Sequence, residues 1–254
     1  RYNRDIGDDT KEMVCMVTNE VAKIPRIHTP ISGLKSANAK LVCFDKYSPS
    51  FSSYGKTESF NAAISLDCMI RYTSVLNCLL SDPHHHMSIE NEVYVFWAEK
   101  RGIEEDIVAE LFGFTTPKGE NDAPIKDTSN TRKVRDILRK IRNGTLLSDI
   151  DETIDENTRL FILLISPNIS RIAVKSWHVN TFGNIIRLWN EYLSDIEIVG
   201  MNDIISFETI CKETIPPKSK KRKEIKEKGC SPRIKSGLLS AAVNGTPFPV
   251  ELYY

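Results

Sequence analysis

Residues 171–177 read Arg-Ile-Ala-Val-Lys-Ser-Trp, and their alternation is the chain's most chemically loaded pattern. Successive side chains of an extended strand point to opposite faces. Arg171, Ala173, Lys175 and Trp177 therefore share one face, while Ile172, Val174 and Ser176 share the other. Four residues of strand set the two cations about 13 to 14 Å apart, a span that suits phosphates a few nucleotides apart. The indole adds a flat surface on which a base can stack. An edge strand that simply turns its cations to solvent has the same composition, so both readings stand. A second set lies in the Ser-rich segment 48–56, where Tyr54 and Lys56 flank Gly55 and lead on to Asn61. Gly55 permits a backbone angle that lets a partner approach the main chain closely. Tyr54 offers a stacking ring, Lys56 a charge and Asn61 an amide; a plain surface loop is the alternative. A third set is the basic run 216–235, in which nine cations, Lys220, Lys221, Arg222 and Lys223 among them, face only Glu224 and Glu227. Such arms neutralise phosphates without sequence choice, and a plain flexible linker is the alternative.

Recognised catalytic signatures are missing. There is no Gly-x-x-x-x-Gly-Lys loop, no Gly-x-Ser-x-Gly elbow and no His-Glu-x-x-His helix. The acidic residues Asp149, Asp151, Glu152, Asp155 and Glu156 form a polar run rather than a convergent carboxylate set. His84, His85 and His86 are consecutive and read as a solvated loop, because adjacent side chains do not converge easily on one ion. His28 and Lys35 are the polar residues of interest in the loop after the first strand. No cofactor and no metal are expected. Basic and acidic residues balance at 34 each over 254 residues, so net charge names no partner. Six cysteines without a Cys-x-x-Cys pair suggest reduced thiols of a cytoplasmic protein. No apolar run is long enough for a membrane span. The chain starts at Arg1 and is read as a piece of something longer.

The elements that must hold these groups suggest an α+β fold, with a mainly antiparallel sheet flanked by helices. The expected strands are 13–18, 41–44, 92–99, 160–165 and the partner running from Ser170, with Ser166-Pro167-Asn168 as the turn between the last two. Ser65 should cap a helix burying Ile64, Cys68, Tyr72, Val75, Leu76 and Leu79. Residues 104–114 should form a helix whose leading Glu104, Glu105 and Asp106 complement its dipole. Val134, Ile137, Leu138 and Ile141 make an apolar stripe on a helix otherwise rich in cations, which the acidic run 149–156 can neutralise within the chain. Further helices are expected over 181–193, 207–213 and 234–243, with a short strand over 195–199. The organisation that follows is 1–114, a strand-loop-helix region; 115–130, a linker; 131–215, the basic helix and central hairpin; 216–233, the basic segment; and 234–254, the terminal helix.

Several stretches together resemble one family. MVCMVTNE followed by PRIHTPISGLKSANAKLVCFD, then SFSSYGKTESFNAAIS, RYTSVLNCLL, EVYVFWAE, SPNISRIAVKSW and AAVNGTPFP occur in the order found in the large subunit of the type I-C CRISPR Cascade, the Dvulg subtype. The agreement is weakest between residues 115 and 155. Asn19 stands where that family tends to have Gly, Thr29 where it has Pro, and Lys175 where it has Arg, which keeps the charge but not the bidentate fork. The resemblance implies a central part of a non-enzymatic subunit of a crRNA-guided surveillance complex. It implies target DNA, the crRNA-bound backbone subunits and the helicase-nuclease as partners, with roles in recognising the protospacer-adjacent motif and in holding the R-loop. Two rival readings are a protein–protein scaffold of the same complex and a metal-dependent nuclease with a scattered site.

Overall fold

The computed structural model describes residues 9–52, 54–89, 91–111, 129–142, 145, 147–196, 210 and 231–253. The expected linker 115–130 (except its last two residues), the short helix 207–213 (except Ile210) and nearly all of the basic segment 216–233 lie outside them, as do residues 197–199 of the expected short strand. Within them the α+β class is as expected, with two antiparallel sheets and flanking helices. The chain divides into two compact units. One comprises residues 1–95 with 163–176, the other 96–162 with 177–254.

The first unit opens with β1 (Thr10–Val14) and β2 (Val21–Pro25), which pair antiparallel with Val14 opposite Val21. The strand expected over 13–18 thus ends at Val14. Asn19, at φ 59°, reverses the chain, and its N–H donates to the Cys15 carbonyl at 2.8 Å. Asn is among the few side chains that tolerate this left-handed backbone. Half of the apolar run is therefore spent in an exposed turn. Cys15 is buried with Ile24, Phe60 and Ala63. Burial pushes its thiol up, but backbone N–H groups of Ser65, Thr18 and Val17 outweigh this and bring it down to about 6. Residues 41–44 are not a strand; only Lys40 forms a single parallel bridge, with Arg171.

Helix α1 (Pro49–Ser52) and a 3-10 turn at Glu58–Asn61 precede α2 (Leu66–Ser81), whose cap is as expected: the Ser65 hydroxyl accepts from the Cys68 N–H. The buried face, however, is Met69, Thr73, Leu76 and Leu80, one position round from the predicted stripe, and Val75 is exposed. Thr73 can occupy this face because its hydroxyl donates to the Met69 carbonyl at 2.6 Å, so no polar group is stranded. Residues 84–86 do not all stay in a loop. β3 (His86–Ile89) pairs antiparallel with β4 (Glu92–Ala98), His86 opposite Val95.

A four-stranded sheet runs in the order β3, β4, β5 (Arg159–Asn168), β6 (Arg171–Thr181), which places β6 at an edge. The central hairpin forms as expected, but it turns at Ile169-Ser170 rather than at 166–168. Pro167 sits buried inside β5, since its fixed φ also suits extended backbone. Ile169 carries φ 54°, an outlier for a β-branched residue, and its side chain is 85% exposed.

In the second unit α3 (Ile103–Leu111) packs against α4 (Ser129–Arg142), and the predicted stripe Val134, Ile137, Leu138, Ile141 is buried. Glu104 and Glu105 do not face solvent at the helix start. They are buried, Glu104 accepting the Asp155 N–H at 2.7 Å and Glu105 the Ala98 N–H at 3.0 Å. Following the short α5 (Leu147–Ile150), the turn 151–158 feeds β5 and also anchors α6 (Phe182–Asp195), because Phe182 and Gly183 donate to the Thr158 and Glu156 carbonyls. Thr181 caps α6, whose buried Ile185, Ile186, Leu188, Trp189 and Tyr192 face α7 (Pro232–Asn244). Asp195, expected to start a strand, closes α6 instead. Gly245 ends α7 with φ 63°, a left-handed cap that glycine adopts without a Cβ penalty. Among the described residues no helix is long and apolar enough to cross a membrane.

Candidate functional site

Arg171 and Lys175 are both exposed on the edge strand, but Val174, on the opposite face by alternation, is exposed as well, so both faces are open there. Neither cation has a carboxylate partner among the described residues. An exposed cation without a local acid keeps its field for an external anion. Arg171 is nevertheless positioned. Lys40 donates its N–H to the Ser170 carbonyl and accepts from the Ile172 N–H, which clamps the backbone on both sides of Arg171. Ser36 donates its hydroxyl to the Ile169 carbonyl at the hairpin tip. The Arg171 guanidinium then lies over the Phe51 ring, 5.6 Å from its centroid, and Phe51 meets Phe44 edge-on at 5.3 Å. A guanidinium within about 6 Å of an aromatic centroid is attracted to the ring while its donors stay available to other acceptors.

Phe51 links this strand to the other predicted set. It belongs to α1, immediately before the Tyr54–Lys56 loop. Gly55 adopts φ 69°, with nothing within 4 Å of where a Cβ would stand. Tyr54 is 90% exposed and Lys56 is exposed. Asn61 is placed differently: it is half-buried, and its Nδ2 donates to the Glu58 carbonyl at 3.1 Å, so its amide serves the 3-10 turn. Lys220, Lys221, Arg222 and Lys223 lie outside the described residues.

Trp177 lies in the second unit, packed against Trp97 and Phe161. Beside it Arg159 and Glu99 form a two-pronged pair at 2.6 and 3.0 Å, and Arg159 holds the Glu99 carboxyl below the usual range. The basic helix is partly neutralised within the chain. Lys133 pairs with Asp151 at 2.6 Å, and this contact with the Thr153 hydroxyl and N–H keeps the Asp151 carboxyl well below the usual carboxylate range. Asp155 accepts the Asn157 N–H. These carboxylates are thus used in turns and ion pairs. Among the described residues no three His, Cys, Asp or Glu side chains are grouped so as to hold a metal ion.

His28 lies in a loop, as expected, and is buried there. It is 1% exposed, its Nδ1 lies 2.6 Å from the Tyr72 hydroxyl, and its Nε2 has no hydrogen-bond partner among the described residues. Burial lowers it to about 4. Lys35 is exposed. Sequence reasoning missed Lys40, Phe51, Arg159 and the Trp97–Phe161 pairing. An aromatic residue inside a Ser-rich segment was the available signal for Phe51. The other three depend on strand order, which no local pattern carries.

No curated protein matches the chain. Along residues 1–254 it is matched by the model of a family described as CRISPR-associated protein (Cas_Csd1), and the chain belongs to that family.

Proposed function

We propose that this chain is a non-enzymatic, DNA-contacting part of the large subunit of a type I-C Cascade, a cytoplasmic complex of antiviral defence. It works beside the crRNA-bound backbone subunits and the helicase-nuclease. The reading is carried by one observation: two exposed cations on an edge strand, without carboxylate partners among the described residues, one of them lying over the Phe51 ring. In guided recognition base pairing reads the sequence, and protein contacts a short duplex motif and the backbone. Contacts about 13 to 14 Å apart along one strand suit backbone positioning rather than the reading of a single base edge. Backbone contacts of this kind serve R-loop stabilisation; the contribution to protospacer-adjacent-motif recognition and helicase-nuclease recruitment is what the resemblance to the large subunit implies.

Arg171→Ala combined with Lys175→Ala is expected to weaken binding to all target sequences alike. Each lost phosphate contact removes about 0.9 from the slope of log affinity against log salt. The double variant should therefore lose up to about 1.8 slope units. Its deficit relative to the native chain should shrink roughly tenfold between 50 and 200 mM salt. Titration of a labelled duplex across a salt series, with thermal melts alongside, is the test. An unchanged slope would remove these two residues from the interface and favour the protein–protein scaffold reading.

A further inference from the structure

Three neighbouring strands each contribute one aromatic ring to a single cluster in the second unit. Trp97 of β4 stacks on Phe161 of β5 with centroids 5.5 Å apart and planes 17° apart. Trp177 of β6 closes the group at 5.4 Å from Trp97 and 5.9 Å from Phe161. The Arg159 guanidinium continues it, 6.0 Å from the Phe161 centroid. Cross-strand ring pairs do stabilise sheets, but a cluster that served packing alone would be covered. Here Trp177 is 50% exposed, and Val179, two residues along the same strand face, is exposed as well. Both signs of charge lie beside the cluster. Glu99 is paired with Arg159, Lys100 is close enough to help lower the Glu99 carboxyl, and Arg101 follows, exposed. With Arg159 and Glu99 paired, Lys100 leaves a net positive charge beside them.

We propose that Trp97, Phe161 and Trp177, with Arg159 at their margin, form a stacking platform for unpaired bases of a single-stranded nucleic acid. A half-exposed tryptophan beside cations, tilted 51° and 34° to the two rings that support it, offers the kind of surface that binds single strands with little sequence choice, because every base presents a π-face. A duplex keeps its bases stacked on one another and cannot use it. The inference deepens the nucleic-acid reading above but stands on a different unit and a different kind of contact, so the two can fail separately.

The test uses the 254-residue chain with three fluorescent probes: a thymidine 20-mer, a uridine 20-mer and a 20-base-pair duplex. Losing one stacking partner weakens single-strand affinity about 5- to 150-fold. Trp177→Ala should show that loss on the single strands, with an unchanged salt slope and an unchanged duplex affinity. Trp177→Phe, which keeps a ring and guards against a folding defect, should retain most of the binding. Binding should quench tryptophan emission in the native chain, and less so in Trp177→Phe. The thymidine and uridine arms tell whether DNA or RNA is preferred. Native duplex binding without single-strand binding would overturn the platform and leave the phosphate edge standing. Equal single-strand affinity of Trp177→Ala and the native chain would also overturn it, as would equal losses on single strand and duplex. Absence of all binding would overturn both proposals.

Discussion

Lowering the pH from 7 to 4 is expected to remove roughly 3 kcal/mol of stability through His28 alone. The imidazole is buried and neutral, and burial lowers it from its ordinary 6.5 to about 4. The difference of 2.5 units, at 1.36 kcal/mol each, sets the magnitude at roughly 3 kcal/mol. The sign follows from proton binding. Below 6.5 the unfolded chain takes up a proton that the folded chain refuses, so stability is fully present above 6.5. It falls progressively down to about 4, where the folded imidazole also protonates. His178, lowered by burial, acts in the same direction. Both histidines stay neutral above neutrality, so alkaline pH should leave this contribution untouched. Urea unfolding at pH 7, 6, 5 and 4 of the native chain and of His28→Gln isolates the His28 share, since every other titrating group is common to both. The native curve should fall away from the variant's as pH drops. Parallel curves would show that the imidazole is not held neutral.

Glu104→Ala should cost about 2 to 4 kcal/mol, although the residue looks from sequence like an exposed charge at a helix start. Its side chain is 4% exposed, and it is the acceptor for the Asp155 N–H. Truncation leaves that N–H without a partner and opens a gap against Gly102, where a Cβ would stand 2.2 Å from the Glu104 Oε2. The consequence spreads because the turn 151–158 feeds β5 and anchors α6. Glu104→Gln keeps a carbonyl acceptor of the same reach and should stay within about 1 kcal/mol of the native chain. Denaturant midpoints of the two variants decide the matter. If Glu104→Ala unfolds within about 0.5 kcal/mol of the native chain, as an ordinary surface substitution does, the carboxylate does not hold the turn.

These two residues show where local pattern is informative and where it stops. Caps and periodic stripes are local, so the Ser65 cap and the Val134–Ile141 stripe were legible in the sequence. That Arg171 and Lys175 share one face was legible as well, because period-two alternation needs no partner, but Val174 of the other face is exposed too. Non-local contacts were not. Glu104 is buried because a turn 51 residues away donates to it. His28 is buried because Tyr72, 44 residues on, meets its ring. β3 forms because β4 offers it an edge, which three consecutive histidines do not announce. The one-position rotation of the α2 face has the same origin: Thr73 is acceptable inside only once its hydroxyl finds the Met69 carbonyl. For the candidate site, the cations were visible but their support was not. Phe51 and Lys40 reach Arg171 across more than a hundred residues of chain.

The most direct measurement of the central claim, that this chain touches nucleic acid through the β6 edge and the loop beside it, is photocrosslinking. DNA substituted with 5-iododeoxyuridine would be irradiated with the chain and the adducts mapped by peptide mass spectrometry. Such crosslinks favour aromatic side chains in contact with the strand. Tyr54 is exposed beside Phe51, over which Arg171 lies. The predicted result is adducts in the peptides holding Tyr54 and residues 171–177, diminished when Arg171 and Lys175 are both replaced by alanine. Adducts confined to other peptides, or a pattern indifferent to that double replacement, would contradict the account.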